Sequence, residues 1–287
     1  MNQTEKISIN IIGYGYVGSS MGYLCEKNNV EFNVCDLNPK EGGFNYFNNV
    51  SELVNFSETS GDINFYVIAV PTPSDTQGNC DTSIVRNILT QLRMLVNKET
   101  YVIIKSTLVP GTSNSLNIQF PTLNIVFCPE FLREATYKDD IYNAQFVLLG
   151  IPPKFDMVKY QKVLRVIRIF YKHNTQIDIL MRSYEECEIF KYSLNCFFAT
   201  KIWYFNKIYQ VCEKMDVDYQ KLKELFKLDP RIGDYGIKVP GSDNKFGFGL
   251  SCLPKECRGM SRLLDALDLD STIFKQISHE NDILRNL

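Results

Sequence analysis

The stretch from Ile7 to Lys27 constrains the fold most. Ile7–Ile12 reads as a buried strand, the glycines of Gly13-Tyr14-Gly15-Tyr16-Val17-Gly18 end it, and Tyr16–Lys27 reads as a helix. A strand that stops at glycines and turns straight into a helix opens a βαβ unit. The alternation continues. Glu31–Cys35, Asn64–Val70, Tyr101–Lys105, Leu123–Phe127 and Gln145–Leu149 read as strands. Between them Ser83–Val96 places Ile84, Ile88, Leu89, Leu92 and Leu95 close to a helical period. Strands separated by helices predict a parallel sheet covered on both faces, with right-handed crossovers.

After Gly150 the pattern changes. Lys154–Tyr171 reads as a helix and Thr175–Ile179 as a short strand. Arg182 to about Met215 runs without Gly or Pro and leaves little polar face, which predicts a helix buried on more than one side, one of them a subunit partner. Asp218–Phe226 reads as a short helix, Asp229–Gly249 as a loop rich in Gly, Pro, Asp and Asn, and Pro254–Leu267 and Thr272–Leu284 as closing helices. The expected fold class is α/β: a Rossmann-type doubly wound parallel sheet over 1–180, then a long central helix and a small helical domain over 181–287. A length of 287 residues agrees with about two domains.

Composition removes several function classes. Thirty-one basic against 33 acidic side chains leave a formal net charge of −2, with no electrostatic footprint for nucleic acid and no polybasic membrane surface. No apolar run approaches the length of a membrane span, and Met1–Lys6 has neither signal nor transit character. Nine cysteines, an odd number without regular spacing, fit reduced thiols in a cytoplasmic setting. Only His173 and His279 are available for a histidine triad or a histidine-rich metal site, so neither is expected.

The glycine motif is a dinucleotide fingerprint. Gly13 permits the tight turn, Gly15 lets a pyrophosphate approach the backbone, and Gly18 permits close helix–strand packing, with the phosphates on the helix N-terminus around Tyr16 and Val17. Asp36 closes the second strand 18 residues past Gly18, near the expected spacing of about 20. Its carboxylate would accept from ribose hydroxyls and repel a 2′-phosphate, which favours NAD over NADP.

Five further motifs follow in order. Val70-Pro71-Thr72-Pro73-Ser74 and Lys105-Ser106-Thr107-Leu108-Val109-Pro110-Gly111-Thr112 follow the third and fourth strands, where open α/β sheets bind ligands. By composition alone each is a polar turn. Cys128-Pro129-Glu130-Phe131-Leu132-Arg133-Glu134 follows the fifth strand, and its two carboxylates, four apart, also read as a surface pair. Glu188, Lys191, Tyr192 and Asn195 share roughly one face of the long helix, a pattern that by itself reads as a solvated stripe. Phe246-Gly247-Phe248-Gly249-Leu250-Ser251-Cys252-Leu253-Pro254-Lys255 is a glycine-rich turn into a helix. There Cys252 lies near a helix N-terminus with Lys255 a turn away, both of which favour a thiolate.

In this order, from about Ile7 to about Met260, the motifs resemble the UDP-glucose 6-dehydrogenase family, which includes the UDP-N-acetylmannosamine and GDP-mannose dehydrogenases. The resemblance implies two oxidations at the sugar C6, with NAD as cofactor and Cys252 as nucleophile. Lys191 and Asn195 would hydrogen-bond the developing oxyanion, Glu130 would handle the hydrolytic water or a proton transfer, and Thr107 would help position that water. Lys255 and Glu256 would support the site, while Ser106 and Glu134 would lie near the nicotinamide. Val70, Thr72, Pro73, Thr107 and Lys255 are further expected cofactor contacts. Phe131, Leu132 and Arg133, with Phe246, Phe248 and Gly249 of the loop before Cys252, would hold the sugar nucleotide. Arg231 matches a family arginine that reaches the sugar, in some members from the other subunit. UDP-glucose is the expected substrate, and a homodimer through the long helix the expected assembly.

Three residues depart from the family pattern: Leu250 for the second glycine of F-G-G-S-C, Glu256 for Asp, and Ala135 for Gly. Family enzymes also carry a third α/β lobe, roughly 100 residues or more, which is not part of this sequence. Two other readings therefore stay open: a dehydrogenase for UDP-N-acetylmannosamine or GDP-mannose, and a catalytically weak NAD- or sugar-nucleotide-binding module.

Overall fold

The computed structural model describes residues 5–75, 78–249 and 252–286. The chain divides into two compact units, 1–72 with 81–191 and 73–80 with 192–287.

In the first unit, strands β1 (Ile7–Ile12), β2 (Asn33–Cys35), β3 (Asn45–Phe47), β4 (Ile63–Ile68), β5 (Glu99–Ile104), β6 (Asn124–Phe127), β7 (Phe146–Ile151) and β8 (Asp178–Ser183) form one sheet, ordered β3-β2-β1-β4-β5-β6-β7-β8. The first six run parallel. Their order is that of a doubly wound fold and reverses between β1 and β4, which marks the place where such sheets bind ligands.

Helices α1 (Tyr16–Lys27), α2 (Val50–Ser60), α3 (Ser83–Leu95), α4 (Thr112–Gln119), α5 (Tyr137–Tyr142) and α6 (Met157–Phe170) complete this unit. Alternate residues of β4 feed opposite faces. Phe65 and Val67 join a core with α1 and α6, while Tyr66 and Ile68 join one with α2, α3 and α4. That two-sided burial is why the strands read as continuous apolar runs.

Three sequence expectations need correction. The sheet is not wholly parallel: β7 meets β6 antiparallel, at Phe127 and Gly150, and β8 runs parallel to β7. The helix between β6 and β7, α5, has six residues and a length of about 9 Å. Parallel neighbours are usually joined by a crossover helix, and this connection holds only a 3-10 turn and that short helix. The last strand begins at Asp178, later than expected, because it is a mostly exposed edge with little apolar alternation. In α3 the buried residues are Val85, Ile88, Leu89 and Leu92, and Ile84 is exposed. Elements β3, α2, α4 and α5 have no counterpart among the elements expected from the sequence.

The second unit is helical, built from most of α7 (Tyr184–Met215) with α8 (Tyr219–Lys227), α9 (Cys252–Ala266) and α10 (Thr272–Arg285). Ala199 of α7, Leu253 and Cys257 of α9 and Ile277 of α10 share one core with Phe248. Phe205, Cys212 and Tyr219 form another with Ile237 and Val239. Asp218 caps α8 by accepting from the N–H groups of Gln220 and Lys221.

Leu89→Ala is expected to cost about 2–5 kcal/mol of unfolding free energy and Ile84→Ala no more than about 0.5 kcal/mol, measured by urea denaturation. Equal losses would contradict the assigned face of α3.

Candidate active site

The fingerprint turn follows β1. Gly13 N–H donates to Cys35 O at 2.8 Å, which ties the turn to the end of β2. A Cβ on Gly18 would lie 1.9 Å from Gly13 O, so only glycine lets α1 start this close to the strand. Above Gly15 the space is open, since a Cβ there meets nothing within 4 Å. No side chain caps α1 and its first turn holds no acid, so its N–H groups suit a pyrophosphate around Tyr16 and Val17. Asp36 Oδ2 accepts Tyr14 N–H at 2.6 Å and Oδ1 accepts Asn38 N–H at 2.9 Å. Each oxygen retains acceptor capacity for a ribose hydroxyl, and the fixed negative charge opposes a 2′-phosphate. The cradle fits NAD.

The turns after β4 and β5 are stitched together. Ser106 Oγ donates to Val70 O and Thr72 Oγ1 donates to Thr107 O, both at 2.8 Å. Ser106 and Thr72 are buried, Thr107 partly so. Pro73 is exposed in the segment that groups with the second unit, and Glu134 is exposed at a 3-10 turn.

Glu130 and Lys191 form a buried pair in the first unit. They are 8% and 4% exposed. Lys191 Nζ donates to Glu130 O at 2.8 Å and lies 3.5 Å from its Oε1. Glu130 Oε2 accepts Leu132 N–H at 2.7 Å, and the Lys191 ammonium sits 5.7 Å from the centroid of the Phe131 ring. Glu130 and Glu134 are thus no surface pair. Arg133 is exposed, with its guanidinium and N–H on Asp140. The solvated-stripe reading of the long helix also falls, because Glu188, Lys191 and Tyr192 are buried and Asn195 partly so. Sequence reasoning gives no role to Lys105. It is buried at the end of β5, with Nζ donating to Cys128 O at 3.2 Å and to Cys128 Sγ at 3.5 Å. A lysine closing an otherwise apolar central strand is the available signal.

In the second unit Cys252 is the first residue of α9 and is partly buried, as is Lys255 one turn on. Glu256 is buried, and its Oε2 accepts Asn195 Nδ2 at 2.8 Å. Seven of the nine cysteines are buried, and Cys80 and Cys252 are partly buried. Burial pushes the thiol of Cys35 up to about 11 and that of Cys187 to about 12, and it raises those of Cys25, Cys196 and Cys257 as well. These buried thiols are inert packing residues.

The loop before Cys252 is held by its neighbours. Gly247, at φ +69°, donates its N–H to Asn206 Oδ1 at 2.9 Å, and Phe248 N–H donates to Asn281 Oδ1 at 2.7 Å. Phe248 points into the core, so only its main chain is placed to meet a ligand, whereas Phe246 is exposed. Gly249 is partly buried, and Leu250 and Ser251 lie outside the described residues. Arg231 is exposed and pairs with Asp229 at 2.5 Å. Lys201 Nζ holds that turn through Ile232 O and Gly233 O.

Asp36→Asn is expected to weaken NAD binding about 10- to 100-fold, the effect of removing a charged acceptor, measured by calorimetry. Unchanged affinity would contradict the assigned ribose site.

The sequence model of the NAD binding domain of the UDP-glucose/GDP-mannose dehydrogenase family matches residues 47–170, and that of the family's central domain matches 185–283. The UDP-glucose 6-dehydrogenase of Rickettsia typhi is 27% identical over 96% of this chain and 67% of its own length. That of Rickettsia bellii is 29% identical over 75% of this chain. The chain spans about half of the latter protein, 48%. A solved UDP-glucose dehydrogenase from Pyrobaculum islandicum shares the fold, with a TM-score of 0.77 at 22% identity over 98% of this chain and 69% of that one. With an NAD-binding domain and a central domain matched in their proper order, the chain belongs to the UDP-glucose/GDP-mannose dehydrogenase family.

Proposed function

We propose that the protein is an NAD-dependent UDP-glucose 6-dehydrogenase that oxidises UDP-glucose to UDP-glucuronate in two steps. The observation that carries this reading is the buried contact, at 3.5 Å, between Glu130 and Lys191 of α7, the helix that also carries Asn195. A cation and a carboxylate withdrawn from water are costly unless they serve each other or a ligand. Bound NAD would supply the acceptor for both hydrides that leave C6, one molecule for each oxidation, while the proton of the C6 hydroxyl passes to solvent.

The chain's own residues supply the rest. Cys252 Sγ bonds to the C6 carbon of the aldehyde, and the carbonyl electron pair moves to oxygen, giving a thiohemiacetal. Lys191 and Asn195 donate hydrogen bonds to that oxygen. Loss of a second hydride restores the carbonyl as a thioester. Glu130 takes a proton from water positioned with the help of Thr107, the water adds at C6, and the C–S bond breaks to free the thiolate of Cys252 and the uronic acid. Glu256 orients Asn195 through their hydrogen bond, and Lys255 supports the site. Glu134 and Ser106 would lie near the nicotinamide. Phe131, Leu132 and the loop before Cys252 hold the sugar nucleotide, and Arg231 reaches the sugar.

The same reading includes a homodimer. Phe190, Phe197, Tyr204 and Val211 recur every seven residues along α7, each between 42% and 60% exposed. A second copy packed on this stripe would bury it. Sedimentation is expected to give a dimer that Phe197→Lys dissociates, and a wild-type monomer would contradict the interface. Among the described residues no helix is long and apolar enough to cross a membrane.

The activity is tested by NADH absorbance. Two NADH per UDP-glucose are expected, and this turnover is expected to be lost in Cys252→Ala. No NADH from protein shown to bind NAD would reject UDP-glucose and direct the assay to UDP-N-acetylmannosamine and GDP-mannose.

A further inference from the structure

Three residues on one side of α7 each grip main chain from a different segment of the first unit. Tyr184 Oη donates to Ile125 O of β6 at 2.7 Å. Glu188 accepts Gly111 N–H at 2.6 Å through Oε2 and Ser113 N–H at 2.7 Å through Oε1. Lys191 donates to Glu130 O. The middle grip stands apart. Glu188 is 0% exposed, both its oxygens are engaged, and its partners are the N–H of Gly111, the residue before α4, and that of Ser113 in its first turn. It therefore fixes the far end of the β5–α4 loop, the loop that carries Ser106 and Thr107. The near end is fixed by Lys105 and Ser106 N–H on Ile68 O and by Thr72 on Thr107 O.

We infer that Glu188 is a positioning residue: its carboxylate locks the Thr107 loop to the helix segment that bears Lys191, and the reaction runs at full rate only while that lock is charged. This rests on the proposed dehydrogenase reading. The geometry gives the reason. A carboxylate accepts two N–H groups at once, one per oxygen. Protonation makes one oxygen a neutral hydroxyl and a weaker acceptor, so one of the two N–H groups loses its charge-assisted bond. The loop would then slacken at Gly111 or Ser113, and Thr107, a few residues upstream, would be held from the near end alone.

The surroundings allow that change near neutrality. Burial holds the Glu188 carboxyl up to about 7, against the opposing pull of its hydrogen bonds at Ser113 and Gly111. On its own helix Glu185, Tyr184 and Cys187 lie close enough to interact with it. From α4 it meets the two N–H groups and the Ser113 side chain, and α4 carries no charged residue. The sign follows: the lock is charged above about pH 7 and is lost as pH falls below it.

The test combines two readouts on the full chain. Amide proton shifts of Gly111 and Ser113 in the wild type are expected to titrate together with a midpoint near 7, and kcat with UDP-glucose is expected to rise through the same midpoint. Glu188→Gln is expected to abolish the shift titration and lower kcat at least about tenfold with KM for NAD unchanged. Glu188→Asp, which keeps the charge, is expected to recover part of kcat. Titrating amides with a kcat that ignores them would overturn the positioning role, and so would a Gln variant with wild-type kcat. Should the Gln variant fail to fold, the wild-type shifts and rate profile decide alone. A wild type that turns over no nucleotide sugar rejects the dehydrogenase reading. In that case amides that fail to titrate overturn the lock as well, and amides that titrate support it.

Discussion

The buried contact between Lys191 and Glu130 is the constraint on which the first unit depends. Neither charge can stay away from water without the other, since stripping one partner from such a pair costs about 3–5 kcal/mol. To hold Lys191 there, α7 has to enter the sheet unit at a fixed height and rotation. Tyr184 sets the height by its hydrogen bond to β6. Gly150 lets the helix come close, because a Cβ there would meet Cys187 Sγ at 3.2 Å. Glu188 then fastens α4. One helix face thus organises the segments that follow β5 and β6, the carboxyl ends of the strands where an α/β sheet offers a ligand site.

Much of this is legible in the sequence because it rests on local rules. A strand, three glycines, a helix and an acid at the right distance specify the cofactor cradle almost residue by residue. Asp36 sits where that pattern demands, bonded to the turn it serves. Two-sided burial makes β4 and β5 readable as apolar runs. The elements that escape are those whose reasons lie elsewhere in the chain. Helix α4, with the sequence Thr-Ser-Asn-Ser-Leu-Asn-Ile-Gln, has weak helical propensity and only Ser113 and Leu116 buried. It forms with its N-terminus on a glutamate 75 residues away. The reversal at β7 lies in how that strand pairs with β6, which no periodicity reveals.

The site residues divide the same way. Cys252 is visible from its place before a helix, whereas the burial of Glu130 against the exposure of Glu134 cannot be read from two glutamates four apart. Lys191 and Glu188 look like a solvated stripe because helical spacing tells which residues share a face and not what that face meets. Lys105 escapes notice since its partners, the carbonyl and sulfur of Cys128, belong to the next strand's end.

The central claim is that Cys252 becomes covalently bonded to the sugar C6 during turnover. The most direct measurement is peptide mass spectrometry of enzyme quenched in acid while oxidising UDP-glucose with NAD. The account predicts a peptide containing Cys252 that carries the uronyl mass as a thioester. NADH formation with Cys252 unmodified, or with the adduct on another cysteine, would contradict it.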